Sequence, residues 1–150
     1  MSITIRPPTI DDAATIADFN ARLAWETECK RLDPAVTLRG VHAQLADQTK
    51  GWYLLASDGD QVLGQLAVTF EWSDWRCGWI WWIQSVYVRA EARRAGIFGQ
   101  LYRDVIRRAR EAGNVIGIRL YVEKENEKGQ ATYRSLGMQK TTYEVYEQSL

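Results

Sequence analysis

The stretch 82–112, WIQSVYVRAEARRAGIFGQLYRDVIRRAREA, decides the fold of this chain. Its first part, residues 82–88, is an uncharged run rich in β-forming residues, which predicts a strand. From Phe98 onward, apolar side chains recur three and four residues apart, which predicts the buried face of a helix. The basic segment between them contains Gly96. The stretch therefore predicts a strand, a loop and the start of a helix.

This junction predicts a binding site for a phosphate or pyrophosphate. The N–H groups in the first turn of a helix have no partners within the helix, and the helix dipole is positive there. Gly96 and Gly99 let a ligand approach the backbone closely, and Arg93 and Arg94 add positive charge. The alternative is an ordinary strand-to-helix loop whose arginines are solvated.

Two sequence motifs carry a resemblance to a known family. Val86-x-Val88 followed by Arg93-x-x-Gly96 resembles the acetyl-CoA motif Q/R-x-x-G-x-G/A of the GNAT superfamily of N-acetyltransferases. Phe98 departs from the last position of that motif.

The second motif lies about thirty residues further along the chain. Asn126-x-x-Gly129-x-x-x-Tyr133-x-x-x-Gly137-Met138 is similar to the family's N-x-x-A-x-x-x-Y-x-x-x-G-F, with departures at Gly129 and Met138. Two partial motifs in the right order, each after a predicted strand, are more specific than either alone.

The predicted elements follow the order β-α-α-β-β-β-α-β-α-β, which is a mixed α/β (α+β) pattern. The predicted strands are 3–6, 52–56, 62–72, 79–88, 115–123 and 138–146, and the predicted helices end near 28, 47, 113 and 136. This order resembles the GNAT fold. The resemblance implies a mixed, mostly antiparallel sheet of about six or seven strands, flanked by about four helices. It also implies that two central strands splay apart at a bulge.

Composition limits the classes of protein that this chain can represent. Its 150 residues, 46% hydrophobic and 25% charged, predict one globular domain over 1–150. Nineteen basic residues balance nineteen acidic ones, so we expect neither nucleic acid nor a membrane surface as a partner. No leader or membrane-spanning run is visible. Isolated Cys29 and Cys77 favour the cytoplasm, and the single histidine, His42, argues against a metal site.

The resemblance implies acetyl-CoA as the acyl donor and assigns residues to hold it. The strand would pair with the pantetheine arm, the loop would hold the pyrophosphate, and the second motif would contribute two side chains. These residues are Val86, Tyr87, Val88, Arg93, Arg94, Ala95, Gly96, Ile97, Phe98, Gly99, Asn126 and Tyr133. Asn126 has an alternative role as the N-cap of a helix.

Acetyl transfer to an amine also needs a donor for the carbonyl oxygen and a proton for the departing thiolate. The family's usual oxyanion donor is a backbone N–H, near Val86 in this chain, and Tyr133 occupies the position of the general acid. The alternative for Tyr133 is a buried core tyrosine. Candidate carboxylates for the amine are Glu26 and Glu71, with a solvated acid as the alternative for each.

The chain therefore resembles an N-acetyltransferase that moves acetyl from acetyl-CoA directly to a primary amine of a small molecule. The runner-up is a non-catalytic module that senses acyl-CoA, because no carboxylate lies beside Gln84 and Ser85. Five tryptophans between 72 and 82 predict cross-strand pairing in the sheet, with an acceptor pocket or a dimer surface as alternatives. A homodimer through this tryptophan-rich hairpin or through the last strand stays open.

Overall fold

The computed structural model describes residues 1–150 as a five-stranded sheet flanked by four α-helices. The strands are β1 (Ile3–Arg6), β2 (Trp52–Asp58), β3 (Gln61–Ser73), β4 (Gly78–Val88) and β5 (Val115–Leu120). The helices are α1 (Ala13–Glu28), α2 (Pro34–Ala46), α3 (Ile97–Ala112) and α4 (Glu127–Ser135), and two short 3-10 turns precede α1 and α3. The mixed α/β class is confirmed.

The strands lie in the order β1-β2-β3-β4-β5. The first four are antiparallel neighbours, and β4 and β5 are parallel. Two parallel strands need a long crossover connection, and α3 supplies it. The stretch 82–112 therefore contains the end of β4 and the crossover that joins the antiparallel strands β1 to β4 to the parallel strand β5.

Both faces of the sheet are covered by helices. On one face, α3 packs its buried side chains, among them Leu101 and Val105, against β2, β3 and β4. On the other face, α1 and α2 pack Ile16, Phe19 and Val41 against β2, β3 and the end of β4. Because α1 and α2 cover only part of their face, the half near the β3–β4 hairpin stays open.

Side-chain hydrogen bonds fix the turn that precedes α1. Thr9 and Asp12 form a capping box, in which Thr9 caps the 3-10 turn and the Asp12 side chain accepts from the Thr9 N–H. The same carboxylate receives two hydrogen bonds from Arg6 at the end of β1, at 2.8 and 3.0 Å. One buried acid therefore joins β1 to the helix that follows it.

The prediction of a strand over 138–146 is wrong. These residues carry an alternating β-like pattern, yet they form no strand, and most of their side chains are exposed. The sheet consequently has five strands instead of six or seven, and β5 is an edge. β5 also ends at Leu120, three residues before the predicted end. A strand exists only where its main-chain groups pair with a neighbour, and neither residues 121–123 nor residues 138–146 pair with another strand.

Candidate active site

A β-bulge interrupts β4 close to its end. Gln65 of β3 lies opposite Tyr87, whereas Ala67 lies opposite Gln84, so two residues of β4 face one residue of β3. Ser85 in the bulge has φ +53°, a left-handed conformation that is uncommon for a residue other than glycine. Bulges bend a strand and redirect its side chains. The bulge predicted from the resemblance is therefore present, at Ser85 and Val86.

The two parallel strands separate just before this bulge. The last pair between β4 and β5 is Ile83 with Leu120, and β4 continues for five more residues, 84–88, without a strand on that side. Main-chain N–H and C=O groups left in this way can pair with an extended ligand as though it were an added strand. Val86, Tyr87 and Val88, the residues predicted for the pantetheine arm, line this gap.

Gln65 holds the bulge, and sequence reasoning missed this role. Its side chain is fully buried, with 0% exposure. Its amide nitrogen donates to the Ser85 carbonyl at 3.1 Å and to Asn20 Oδ1 on α1 at 2.8 Å. A polar residue inside the otherwise apolar run 62–68 was the available signal, but only the packing of α1 against β3 shows that this position is buried.

The loop after β4 leads to the start of α3, where the first-turn N–H groups have no side-chain cap. Arg89 anchors the loop, because its backbone and side chain donate to Leu63 O and Val62 O at 2.8 and 2.7 Å. Gly96 is the N-cap of α3 with φ +74°, and no side chain caps the helix. Space around the Gly96 Cα is open. The first-turn N–H groups of Ile97, Phe98 and Gly99 therefore point at an uncrowded entrance, which suits an anionic group.

Arg93 turns away from this entrance. Its guanidinium donates to Val88 O at 2.8 Å and pairs with Glu26 at 2.6 Å, and it lies 5.5 Å from the centre of the Tyr87 ring. Glu26 is in the last turn of α1. This arrangement brings Glu26 to the predicted cofactor loop, where it holds Arg93. Arg94, with φ +66°, is exposed, and Ala95 follows it directly before Gly96.

Tyr133 lies beside the start of α3. Its ring meets the Phe98 ring edge to face, with the centroids 5.7 Å apart. Burial raises the pKa of the Tyr133 phenol above its ordinary value of 10, so the hydroxyl stays protonated at neutral pH. Asn126 is the N-cap of α4 and accepts from the Gly129 N–H at 2.9 Å. Its side chain thus has the capping role that was the alternative at this position.

Glu71 lines a separate cleft on the open half of the sheet. One carboxylate oxygen accepts from Trp82 Nε1 at 3.0 Å, and the other lies 3.4 Å from Arg119 Nη1. The cleft holds about 440 Å³. It adjoins the gap between β4 and β5, because Trp82 pairs with Arg119 one step before the last pair of those strands. Arg119 was not among the predicted site residues.

The structure thus brings most of the predicted residues to one place. The gap beside 84–88, the entrance at 96–99 and the Tyr133 ring are connected through the bend after β4 and the contact with Phe98. Glu26 lies at the α1 side of the loop, whereas Glu71 lies in the neighbouring cleft. The two carboxylates therefore occupy different surroundings.

Trp72 and Trp79 pair across β3 and β4, as the sequence predicts, with ring centroids 5.0 Å apart. Trp81 on β4 meets Trp52 on β2 at 5.3 Å. Trp82 stacks on Tyr121 at 4.5 Å beside the cleft. Side chains that pair in this way stiffen the long hairpin.

Comparison with known sequences agrees with this geometry. The sequence model of the acetyltransferase (GNAT) family matches residues 15–138. No curated protein matches this chain. A possible acetyltransferase from Clostridium difficile 630 is 47% identical in sequence, and the match covers 100% of this chain and 99% of that one with a TM-score of 0.92.

Two more distant structures share the fold. A transcriptional regulator from Bacillus halodurans C-125 has 24% identity and a TM-score of 0.83 over 99% of this chain and 100% of that one. A predicted acetyltransferase with acetyl-CoA from Clostridium acetobutylicum has 18% identity and a TM-score of 0.81 over 98% and 96%. None of the helices in this chain is long and apolar enough to span a bilayer.

Proposed function

We propose an activity for this chain, which belongs to the acetyltransferase (GNAT) family: it transfers an acetyl group from acetyl-CoA directly to a primary amine of a small molecule. The observation that carries the proposal is the gap beside residues 84–88 together with the uncapped start of α3. An extended amide-containing arm fits the first feature, and a pyrophosphate fits the second. Acetyl-CoA carries both groups on one molecule.

The reaction forms a C–N bond and breaks the C–S bond of the thioester. The main-chain N–H near Val86, in the bulge beside the gap, is the proposed donor to the carbonyl oxygen as it gains charge. The phenol of Tyr133 is the proposed donor to the departing thiolate. Burial favours this role, because it keeps the phenol protonated until the thiolate forms. No covalent link to the protein is required.

The amine must lose a proton before or during attack. Glu71 is the better placed carboxylate for binding the acceptor, since it lines the cleft beside the gap. Glu26 is paired with Arg93, and we assign it to the cofactor side. The proton itself leaves to water, because neither carboxylate is free of a cationic partner.

A small molecule is the proposed acceptor because the cleft of about 440 Å³ is of the size that small ligands occupy. The two cysteines, Cys29 and Cys77, are both exposed and unpaired. This state suits a reducing compartment, so we propose that the protein acts in the cytoplasm.

One observation favours the second candidate, a module that binds acyl-CoA without turnover. Both candidate carboxylates are engaged, Glu26 by Arg93 and Glu71 by Trp82 and Arg119. A site of this kind keeps the features that would hold acetyl-CoA but has no free carboxylate to accept a proton from an amine.

Two measurements on the full chain test these alternatives. Isothermal titration with acetyl-CoA and with free CoA measures binding, and we expect micromolar or tighter affinity for both. Release of the CoA thiol is then followed with a panel of primary amines, and we expect at least one amine to accelerate it. Binding without release with any amine would favour the sensor, whereas no binding of either ligand would overturn both proposals.

A further inference from the structure

Two opposite charges lie side by side in the cleft that adjoins the gap. Glu71 of β3 and Arg119 of β5 both line this cleft. The closest oxygen and nitrogen of the two side chains are 3.4 Å apart, and the side chains are 44 and 26% exposed. The cleft therefore offers a ligand one anionic group and one cationic group next to each other.

Arg119 is held by aromatic rings and keeps most of its hydrogen-bonding capacity. Its guanidinium carbon lies 6.0 Å from the centre of the Trp82 ring and 5.7 Å from that of Tyr143. The side chain makes one hydrogen bond, to Glu71 at 3.4 Å, whereas bonds between charged groups are usually about 2.7–2.9 Å long. Because a guanidinium carries five N–H donors in one plane, several of them are available to a ligand. A carboxylate matches such a planar set of donors.

Glu71 determines what must stand beside that carboxylate. One of its oxygens accepts from Trp82 Nε1 at 3.0 Å, and a carboxylate has room for further donors. An anion bound at Arg119 alone would be repelled by Glu71, whereas an ammonium next to it would be attracted. The pair of side chains thus matches the head of an α-amino acid, in which one carbon carries both a carboxylate and an ammonium group.

The gap lies some distance from this pair of charges. Arg119 pairs with Trp82, and the part of β4 without a neighbour begins two residues later, at Gln84. A strand rises about 3.3 Å per residue, so the two positions are roughly 7 Å apart. The α-amine of a bound head stays beside Glu71 and does not reach the gap. An amine at the end of a side chain of about four carbons does, since each C–C bond adds about 1.5 Å.

We propose that the acceptor is a diamino acid, that is, an α-amino acid with a second primary amine at the end of its side chain. Arg119 binds the carboxylate, Glu71 binds the α-ammonium, and the side-chain amine enters the gap. This inference rests on the proposed acetyl transfer and names its acceptor. A C–N bond forms at the side-chain nitrogen and the C–S bond of the thioester breaks. The products are the amide, the CoA thiol and one proton, which passes to water.

Three amines test the two halves of the head separately. Lysine carries the whole head, cadaverine lacks only its carboxylate, and ε-aminocaproate lacks only its α-amine. With the full chain and saturating acetyl-CoA, release of the CoA thiol should give lysine a kcat/KM about tenfold above that of each of the other two, because each has lost one charged contact. NMR of the product should place the acetyl group on the side-chain nitrogen of lysine.

Replacing Arg119 should remove the advantage of the carboxylate. In Arg119→Gln the kcat/KM of lysine and of ε-aminocaproate should fall about tenfold, whereas that of cadaverine should not fall, since cadaverine has no group for Arg119 to bind. Arg110→Gln is the matched control, because Arg110 lies in the last turn of α3 and does not line the cleft. It should leave the order of the three amines unchanged. Circular dichroism of both variants separates a loss of activity from a loss of folding.

The outcomes distinguish this inference from the proposed acetyl transfer. Equal rates with lysine and cadaverine, or acetyl on the α-nitrogen, would overturn the diamino acid and leave acetyl transfer standing. If no amine releases the thiol, acetyl transfer fails, and titration of lysine and cadaverine into the protein saturated with CoA decides the inference. Tighter binding of lysine, lost in Arg119→Gln, would support recognition of the head. Equal affinities, or no binding of lysine, would overturn it.

Discussion

The side-chain amide of Gln65 donates to the main-chain carbonyl of Ser85 across 3.1 Å, and this bond ties β3 to the bulge of β4. The same nitrogen donates to Asn20 on α1. Gln65 Oε1 has no hydrogen-bond partner, so the residue is retained at a buried position despite one unsatisfied oxygen. A bulge held by a third element keeps a defined shape, and we infer that Gln65 positions the gap proposed for the acetyl donor.

Replacing Gln65 by methionine should loosen this bulge while filling the same volume. The Ser85 carbonyl and Asn20 Oδ1 would lose a buried donor, so the free energy of unfolding should fall by about 1–2 kcal/mol. The dissociation constant of acetyl-CoA should rise about tenfold, measured by titration. Gln61→Met is the control, because Gln61 lies on the same strand but is exposed and outside the gap. Unchanged acetyl-CoA affinity in Gln65→Met would show that Gln65 serves stability alone.

Gly96 and Gly113 allow strain and ligand binding to be separated. They cap opposite ends of α3 with φ +74° and +78°, and both have open space around them. Valine at either position should cost about 1–3 kcal/mol of stability, because a β-branched residue is strained at such angles. Only Gly96→Val should weaken acetyl-CoA binding, by tenfold or more. Equal losses of affinity in the two variants would rule out the entrance at Gly96 as the pyrophosphate site.

Tyr133→Phe tests the proposed proton donor. The ring contact with Phe98 is kept, so acetyl-CoA affinity should stay the same, while kcat should fall about 100-fold once chemistry limits the rate. Because burial raises the pKa of this phenol, any loss of the wild-type rate from ionisation of Tyr133 should begin at a higher pH than for a solvent-exposed tyrosine. Tyr53→Phe is the control, since burial raises the pKa of Tyr53 in the same direction and that residue lies in the core under α1 and α2. Full activity in Tyr133→Phe would remove the tyrosine from the mechanism.

Glu71→Gln and Glu26→Gln should raise the KM of different substrates. Glutamine at 71 can still accept from Trp82 but loses the charge that attracts a cationic amine, so the KM of the acceptor should rise about five- to tenfold. Glutamine at 26 weakens the hold on Arg93, so the KM of acetyl-CoA should rise instead. Steady-state kinetics with the best amine of the panel measures both constants. A large fall in kcat with either variant, at unchanged KM, would assign that carboxylate as a base.

Asp12→Asn should destabilise the protein in a pH-dependent way. Hydrogen bonds from Arg6 lower the pKa of Asp12 below its ordinary value of 3.8. A carboxyl group with a lowered pKa stabilises the fold above its unfolded pKa, and this contribution is lost as the pH falls through the folded pKa. Urea unfolding should therefore show a loss of about 1–3 kcal/mol at pH 7 and a smaller one near pH 3. Asp18→Asn, which removes an exposed pair with Arg22, should change little at either pH.

The elements near the proposed donor site were predictable because their signals are local. The start of α3 follows from Gly96 and from the apolar spacing beginning at Phe98, and the N-cap role of Asn126 follows from its residue type. Tyr133, the tyrosine of the second motif, lies in α4, and its ring contacts Phe98 at the start of α3. Such features depend on neighbours within a few turns, and a single sequence contains them.

Other parts of the site depend on contacts that no local pattern encodes. Gln65 has the spacing of a solvent-facing strand residue, and it is buried because α1 happens to cover that position. Arg119 joins Glu71 across a distance of 48 residues, through the parallel pairing of β4 and β5. The register of two strands and the face that a helix covers are decided by packing of the whole chain.

The sequence by itself determined the mixed α/β order, the strand-loop-helix junction and the two motifs, because periodicity, glycine placement and capping act over short range. Tertiary structure alone decided where β4 separates from β5, which polar side chain holds the bulge, and that residues 139–150 form no strand in their own chain. Residues 139–150 show the physical reason most clearly. β-propensity describes how well a residue fits a pleated surface, and a strand forms only where the path of the whole chain brings its main-chain groups against a neighbour.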